Sequence, residues 1–299
     1  MTGIDTSHPR GLCLTGTMLS DVGRVRAINE DSVAFVVPAA EQTTAERDSL
    51  LLVADGMGGH AAGEVASRLA AEIVRRVFFG FEGPAAELLN TAFAAANNAI
   101  MEHGQLHPEC AGLGTTCTAI AIRGDEAWLA HVGDSRAYLL RGGELTQLSQ
   151  DQTLVAKMVR DGVITAEEAK HSEHGNIILQ ALGSTAEIVP EIWQEPLLLA
   201  PGDTIVLCSD GLHGLVSDET IADVAGRLSP AEACRTLIEH ALNGGGHDNI
   251  SVGVFRALAA LPRAASHAHS TTRPITLPGA GTAPDNRATR QLPAYERQP

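Results

Sequence analysis

The apolar positions of this chain gather into short runs. Residues 32–37, 50–54, 116–122, 127–132, 136–140, 204–208 and 250–255 have strand length and strand composition, and several are joined by short turns. Between residues 52 and 115 the period changes. Val65, Leu69, Ile73 and Val77 share one helical face and an Ala-rich run follows from 84 to 103, which predicts two consecutive helices. Two more are expected at 217–228 and 230–242, the second with Cys234, Leu237, Ile238 and Ala241 on one face. Strands in hairpin groups separated by helix pairs, without strict strand-helix alternation, favour antiparallel sheets with helices packed outside, a layered α+β domain. The globular pattern covers residues 12–257. From 258 to 299 the periodicity stops and Pro, Ala, Thr and Arg dominate, so a disordered basic tail is expected there.

Composition narrows this picture. A chain of 299 residues with 44% hydrophobic content can build one large core. Its longest apolar runs fall short of a membrane helix, and residues 1–11 lack the layout of a secretory signal, so the expectation is a cytoplasmic protein with no membrane span. The cysteines Cys13, Cys110, Cys117, Cys208 and Cys234 are odd in number and scattered, as small core residues of a reducing compartment are. A net charge of -15 argues against nucleic acid as a partner and suits a protein that concentrates divalent cations.

The chemistry is carried by a recurrence. An apolar strand ends in Asp-Gly at Asp55-Gly56 and again at Asp210-Gly211, and Asp248 stands at the start of the last strand. One Asp-Gly is ordinarily a tight turn; several at strand ends can meet at one rim of a sheet. Carboxylates without histidine or thiolate companions select hard cations, so Mg²⁺ or Mn²⁺ is expected over Zn²⁺. A close pair of such ions suits hydrolysis at phosphorus. Near the amino end, Arg24 and Arg26 precede Glu30 and Asp31, and a guanidinium at the rim of a metal cluster can fork onto a phosphate dianion. Gly133-Asp134-Ser135, between two strands, reads either as a hairpin turn or as part of the same site, and Thr115 and Thr116 read as strand residues.

In order along the chain, Arg26 to Asp31, Val53-Ala54-Asp55-Gly56-Met57-Gly58-Gly59-His60, Gly114-Thr115-Thr116, His131 to Arg136, Cys208-Ser209-Asp210-Gly211-Leu212 and Gly246-His247-Asp248-Asn249 resemble the bacterial type 2C (PPM) protein phosphatases, over residues 14–255. The resemblance implies a four-layer α-β-β-α sandwich of two antiparallel sheets with a metal pair in a cleft at one edge. Asp55 would bridge two Mn²⁺ or Mg²⁺ ions, the Gly56 carbonyl would ligate the first, and Asp210 and Asp248 would hold the second. Asp134 would serve a third, weaker ion. Glu30 and Asp31 would act through metal-bound waters, Asn249 would support them or brace a loop, and Arg26 would bind the substrate phosphate. Animal relatives carry a histidine after the Asp-Gly where this chain has Met57, so the choice between His60 and a metal-bound water as proton donor is open. Residues 154–182 correspond to the flap beside the cleft.

The function this resemblance implies is hydrolysis of phosphoserine and phosphothreonine in proteins by a metal-bridging hydroxide. The enzyme would be a monomer that opposes, and acts on, a bacterial Ser/Thr kinase. The alternatives are an esterase for small phosphate compounds and a catalytically silent module that binds phosphoproteins.

Overall fold

A computed structural model of the chain describes residues 12–37, 48–58, 61–110, 112–170, 172, 174–175 and 177–259. Of the expected tail, Leu258 and Ala259 instead close the last strand, where they pair with Cys13 and Leu12; the rest lies outside this set, as does His60. The chain begins with β1 (Leu12–Asp21), β2 (Asp31–Val36) and β3 (Ser49–Met57), then the helices α1 (Ala61–Gly80) and α2 (Ala85–Leu106). Next come β4 (Gly114–Thr115), β5 (Cys117–Arg123), β6 (Glu126–Val132), β7 (Arg136–Arg141) and β8 (Glu144–Gln147). The short helices α3 (Leu154–Arg160) and α4 (Ala166–Lys170) precede β9 (Glu191–Ile192), β10 (Leu197–Leu198) and β11 (Thr204–Cys208). Helices α5 (Asp210–His213), α6 (Asp218–Arg227) and α7 (Pro230–Asn243) lead into β12 (Ile250–Ala259).

Two antiparallel sheets result. One runs β1-β12-β11-β7-β8 and the other β10-β6-β5-β3-β2, with β4 and β9 attached to the second. Period-2 alternation sends each strand's residues to two different cores. On β3, Leu50, Leu52 and Ala54 face α1 and α2, whereas Leu51 and Val53 face the other sheet. On β11, Val206 and Cys208 face α6 and α7, whereas Ile205 and Leu207 point between the sheets. The layers are therefore helix, sheet, sheet, helix. Each fully buried leucine of the middle layer, such as Leu51 or Leu129, contributes about 1.5–3 kcal/mol of burial free energy.

The structure differs from the pattern reading in two instructive places. Strand β1 (LCLTGTMLSD) is broken by Thr, Gly and Ser and has no apolar run, yet it pairs with β12 along its whole length. Its Gly16 faces Phe255, and a Cβ there would fall 2.0 Å from the Phe255 ring, so the residue that weakens the strand signal is the one that lets the ring pack. On α1 the deepest residues are Ala66, Ser67, Ala70 and Val74; of the expected face Ile73 and Val77 are buried, while Val65 and Leu69 are only partly buried. Small side chains let the helix lie close to the sheet, and a search for large apolar residues finds the flank of that face instead. Behind α2, buried Asn97 accepts from the Gly183 N–H at 2.7 Å and donates to the Thr185 carbonyl at 3.0 Å, pinning the segment that leaves the flap.

Candidate active site

The site is the polar end of the layer between the sheets. Followed toward one rim, the inward positions change from aliphatic to hydroxyl to carboxylate: Leu51, Val53, Asp55 on β3, Val33, Asp31 on β2, and Ile205, Leu207, Ser209 at the end of β11. Asp31 and Asp55 are directly opposite each other in the β2–β3 pair. Like charges placed so are destabilising in a plain sheet. Asp210 opens α5, Asp134 lies in the turn from β6 to β7, and Asp248 stands two residues before β12.

Hydroxyl groups and amides hold this edge. The Thr115 hydroxyl and the Thr116 N–H both donate to the Asp55 carbonyl at 2.9 Å, and the Asp55 N–H donates to the Thr116 hydroxyl at 2.9 Å. The threonines read as strand residues thus also fix the backbone of Asp55. Ser209 donates to Asp31 Oδ2 at 2.7 Å and accepts from the Ser251 N–H at 3.0 Å. Asn249 is a brace: its Oδ1 accepts from the Glu30 N–H at 2.7 Å, and its Nδ2 donates to the Val22 and Ile28 carbonyls at 2.9 and 3.0 Å. Gly56 cannot be replaced without displacing backbone, because a Cβ would fall 2.2 Å from the Gly63 carbonyl oxygen where α1 begins.

The flap, residues 154–182, is tied to the site at both roots. Leu182 exchanges backbone hydrogen bonds with Thr115 at 2.9 and 3.0 Å. At the other root, Arg136 forks onto Asp151 with contacts of 2.7 to 3.1 Å, and the Gln152 N–H donates to the Gly133 carbonyl at 2.7 Å. Burial would raise the Asp151 pKa, but the Arg136 hydrogen bond and charge outweigh it and hold it below the usual range. Buried His131 places Nε2 3.1 Å from the Gln150 carbonyl and Nδ1 2.9 Å from the Thr118 hydroxyl. A carbonyl only accepts, so the neutral ring carries its proton on Nε2. Burial lowers its pKa to about 4. On the flap, Val163, Ile177 and Leu179 are exposed.

The electrostatics are those of carboxylates crowded without enough positive charge. Burial, with added repulsion from Asp210 and Asp248, pushes Asp31 up to about 7 against the hydrogen bonds of Ser251 and Ser209. Burial, followed by the charges of Asp210 and Asp151, pushes Asp134 up to about 7. Asp55 is raised well above the carboxylate range and Asp210 is raised too, in both cases first by burial and then by the charges of neighbouring aspartates. Asp31 Oδ1, Asp134 Oδ1 and Asp210 Oδ1 are buried without a hydrogen-bond partner.

Such atoms are costly unless something cationic meets them. Among the described residues no three His, Cys, Asp or Glu side chains are already drawn tightly enough together to hold one ion. The donors are all oxygen, they share one edge, and their orphaned atoms point to cations of the Mg²⁺ or Mn²⁺ kind. Arg26 sits at the rim, with Nη2 2.7 Å from Asp248 Oδ2 and Nη1 3.5 Å from Glu30 Oε2. The structure thus brings Arg26, Glu30, Asp31, Asp55, Asp134, Asp210, Asp248 and Asn249 to one edge. Pattern reading missed Ser209, Thr118 and His131 as its supports; continuing the period-2 alternation past each apolar run would have marked them as inward positions.

The chain is similar to known proteins. A family profile described as "Protein phosphatase 2C" matches residues 24–243. The serine/threonine protein phosphatase PstP of Mycobacterium tuberculosis is 41% identical over 273 residues, covering 90% of this chain and 48% of that protein. The chain therefore spans about half the length of that relative. Protein phosphatase PhpP of Streptococcus pneumoniae is 36% identical over 243 residues, 80% of this chain and 95% of that protein. Among solved structures, that of the PstP catalytic domain "in complex with 2 Manganese ions" superposes with a TM-score of 0.73 at 42% identity, covering 83% of this chain and 99% of that one.

Proposed function

The chain belongs to the protein phosphatase 2C family, and from that premise we propose that it is a metal-dependent protein serine/threonine phosphatase that hydrolyses phosphoserine and phosphothreonine, opposing one or more Ser/Thr kinases of its cell. The observation that carries this reading is the edge where Asp31, Asp55, Asp134 and Asp210 stand together, with orphaned buried oxygens on Asp31, Asp134 and Asp210 and with Arg26 at the rim. Asp55, the Gly56 carbonyl, Asp210 and Asp248 would hold a pair of divalent cations, with Asp134 serving a weaker third. When bound, the ions supply positive charge that offsets charge build-up on phosphorus and acidifies water for attack.

The chain's own residues do the rest. Asn249 and the threonine pair 115–116 hold the backbone of the carboxylate-bearing segments, so the donors need not reorganise as the reaction proceeds. Ser209 keeps Asp31 oriented. Arg26, reaching in from solvent, would fork onto two phosphate oxygens and place the ester. The flap, with its exposed Val163 and acidic and basic side chains, would meet the polypeptide around the phosphorylated residue.

The decisive experiment is phosphate release from a phosphothreonine peptide by the full chain, with Mn²⁺ and then with excess EDTA. Manganese-dependent release abolished by EDTA is expected. Tight phosphopeptide binding without release would replace the enzyme by a binding module, and a large preference for small phosphate esters would move the substrate class.

A further inference from the structure

The side chain expected to receive phosphate is already engaged. Arg26 Nη2 donates to Asp248 Oδ2 at 2.7 Å, and this contact is the chief reason the arginine's pKa is raised. The other oxygen, Asp248 Oδ1, accepts from the Asn249 N–H at 2.8 Å. Both oxygens of a residue expected to ligate a cation are therefore occupied, one of them by the group expected to hold the substrate.

The surrounding backbone does not loosen this arrangement. The Arg24 N–H donates to the Gly246 carbonyl at 2.8 Å, and Asn249 clamps residues 22, 28 and 30. These bonds tie the two segments to one another, so the exchange of partners falls to the Arg26 side chain. That side chain is 45% exposed and its partner 34%. A pair so open to water is worth only about a two- to five-fold factor, which is weak enough for a divalent cation to displace.

We propose that Arg26 and Asp248 form an interlock: in the cation-free protein the guanidinium occupies Asp248, and a cation taken up at Asp248 expels it toward the position where it meets phosphate. The proposal rests on the reading of this edge as a metal site. Its consequence is a sign. Arg26 opposes cation binding when phosphate is absent, and phosphate, by drawing the guanidinium away, favours it. Linkage then requires the cation to favour phosphate by the same factor.

The test is calorimetric titration of Mn²⁺ into the full chain, with and without inorganic phosphate, for the wild type, Arg26→Ala, Asp248→Asn and the double variant, each checked for folding by its melting curve. Arg26→Ala is expected to bind Mn²⁺ about three- to ten-fold tighter in the absence of phosphate, from the lost contact and the lost repulsion. Phosphate is expected to tighten Mn²⁺ binding in the wild type and to do so less in Arg26→Ala. In the Asp248→Asn background the gain from Arg26→Ala should largely vanish. Unchanged or weaker Mn²⁺ binding by Arg26→Ala would overturn the interlock, as would an equal gain in the Asp248→Asn background, which would leave only long-range charge. A wild type that binds Mn²⁺ and releases phosphate while showing either result loses the interlock alone; a wild type that does neither loses the metal reading and the interlock with it.

Discussion

The two ends of the layer between the sheets are made by the same strands and the same alternation, yet they behave as opposites. At the apolar end Leu51, Leu129, Ile205 and Leu207 are fully or almost fully buried, every neighbour is complementary, and burial is a gain. At the polar end, two positions along β3 from Val53, Asp55 faces Asp31 across the pair, and burial raises carboxylate pKa values instead of stabilising the chain. One end holds the molecule together and the other gives up part of that stability to keep charges where a cation can use them.

The sharpest way to break this comparison is to remove one residue from each end. Asp55→Ala should lower the rate of phosphate release about a thousand-fold or more, corresponding to about 4 kcal/mol of lost charge stabilisation, while its circular dichroism spectrum remains folded. Leu51→Ala should do the reverse, costing about 2–5 kcal/mol of stability in denaturant melts while the folded fraction keeps its turnover. If Asp55→Ala retained full activity, the polar end would not be the site.

Ser209→Ala probes the boundary between the two ends. It strips the hydrogen bond from Asp31 Oδ2 and leaves the Ser251 N–H unpaired, so it should slow turnover about 10- to 100-fold, less than the loss of Asp55, and weaken Mn²⁺ binding in parallel.

The smallest expected effect is on pH dependence. Without divalent cations, Asp31 and Asp134 hold protons in the folded chain up to about pH 7, whereas the unfolded chain releases them near 3.8. Their contribution to stability is thus complete below the unfolded value and is lost as pH rises through about 7. His131 and His213, lowered by burial to about 4, act oppositely: their contribution is present above 6.5 and is lost as pH falls toward 4. Above pH 6.5 only the carboxylates remain in play. The melting temperature of the metal-free protein should fall between pH 6.5 and 8, Mn²⁺ should abolish the fall, and Asp134→Asn should shrink it. A flat profile in the absence of metal would contradict the burial of these charges.

Much of this was legible in the chain. Alternation and helical period located β5, β6, β7, β11, α6 and α7 to within a residue or two, and most of β3 and α2, because each carries its own apolar face. The Asp-Gly steps at strand ends singled out Asp55 and Asp210, since a carboxylate directly after an apolar run has no local explanation beyond a turn. Strand β1 was not legible: its pairing depends on β12, far away in sequence, and its glycine serves a ring on that distant strand. Thr118, His131 and Ser209 lie at inward positions that the alternation marks, but the partners that give them their roles lie elsewhere in the fold.

By itself the sequence determined which segments would be strands and helices and which residues carried charge at their ends, because those depend on neighbours a few positions apart. Only the tertiary structure decided that Asp31 lies opposite Asp55, that Asp210 adds its charge to that of the buried Asp55, and that Arg26 rests on Asp248 rather than in open solvent. Those are consequences of register and of sheet stacking, which join residues far apart in sequence, 222 positions in the case of Arg26 and Asp248. The repulsions, raised pKa values and orphaned oxygens that point to a cation exist only once that joining has taken place.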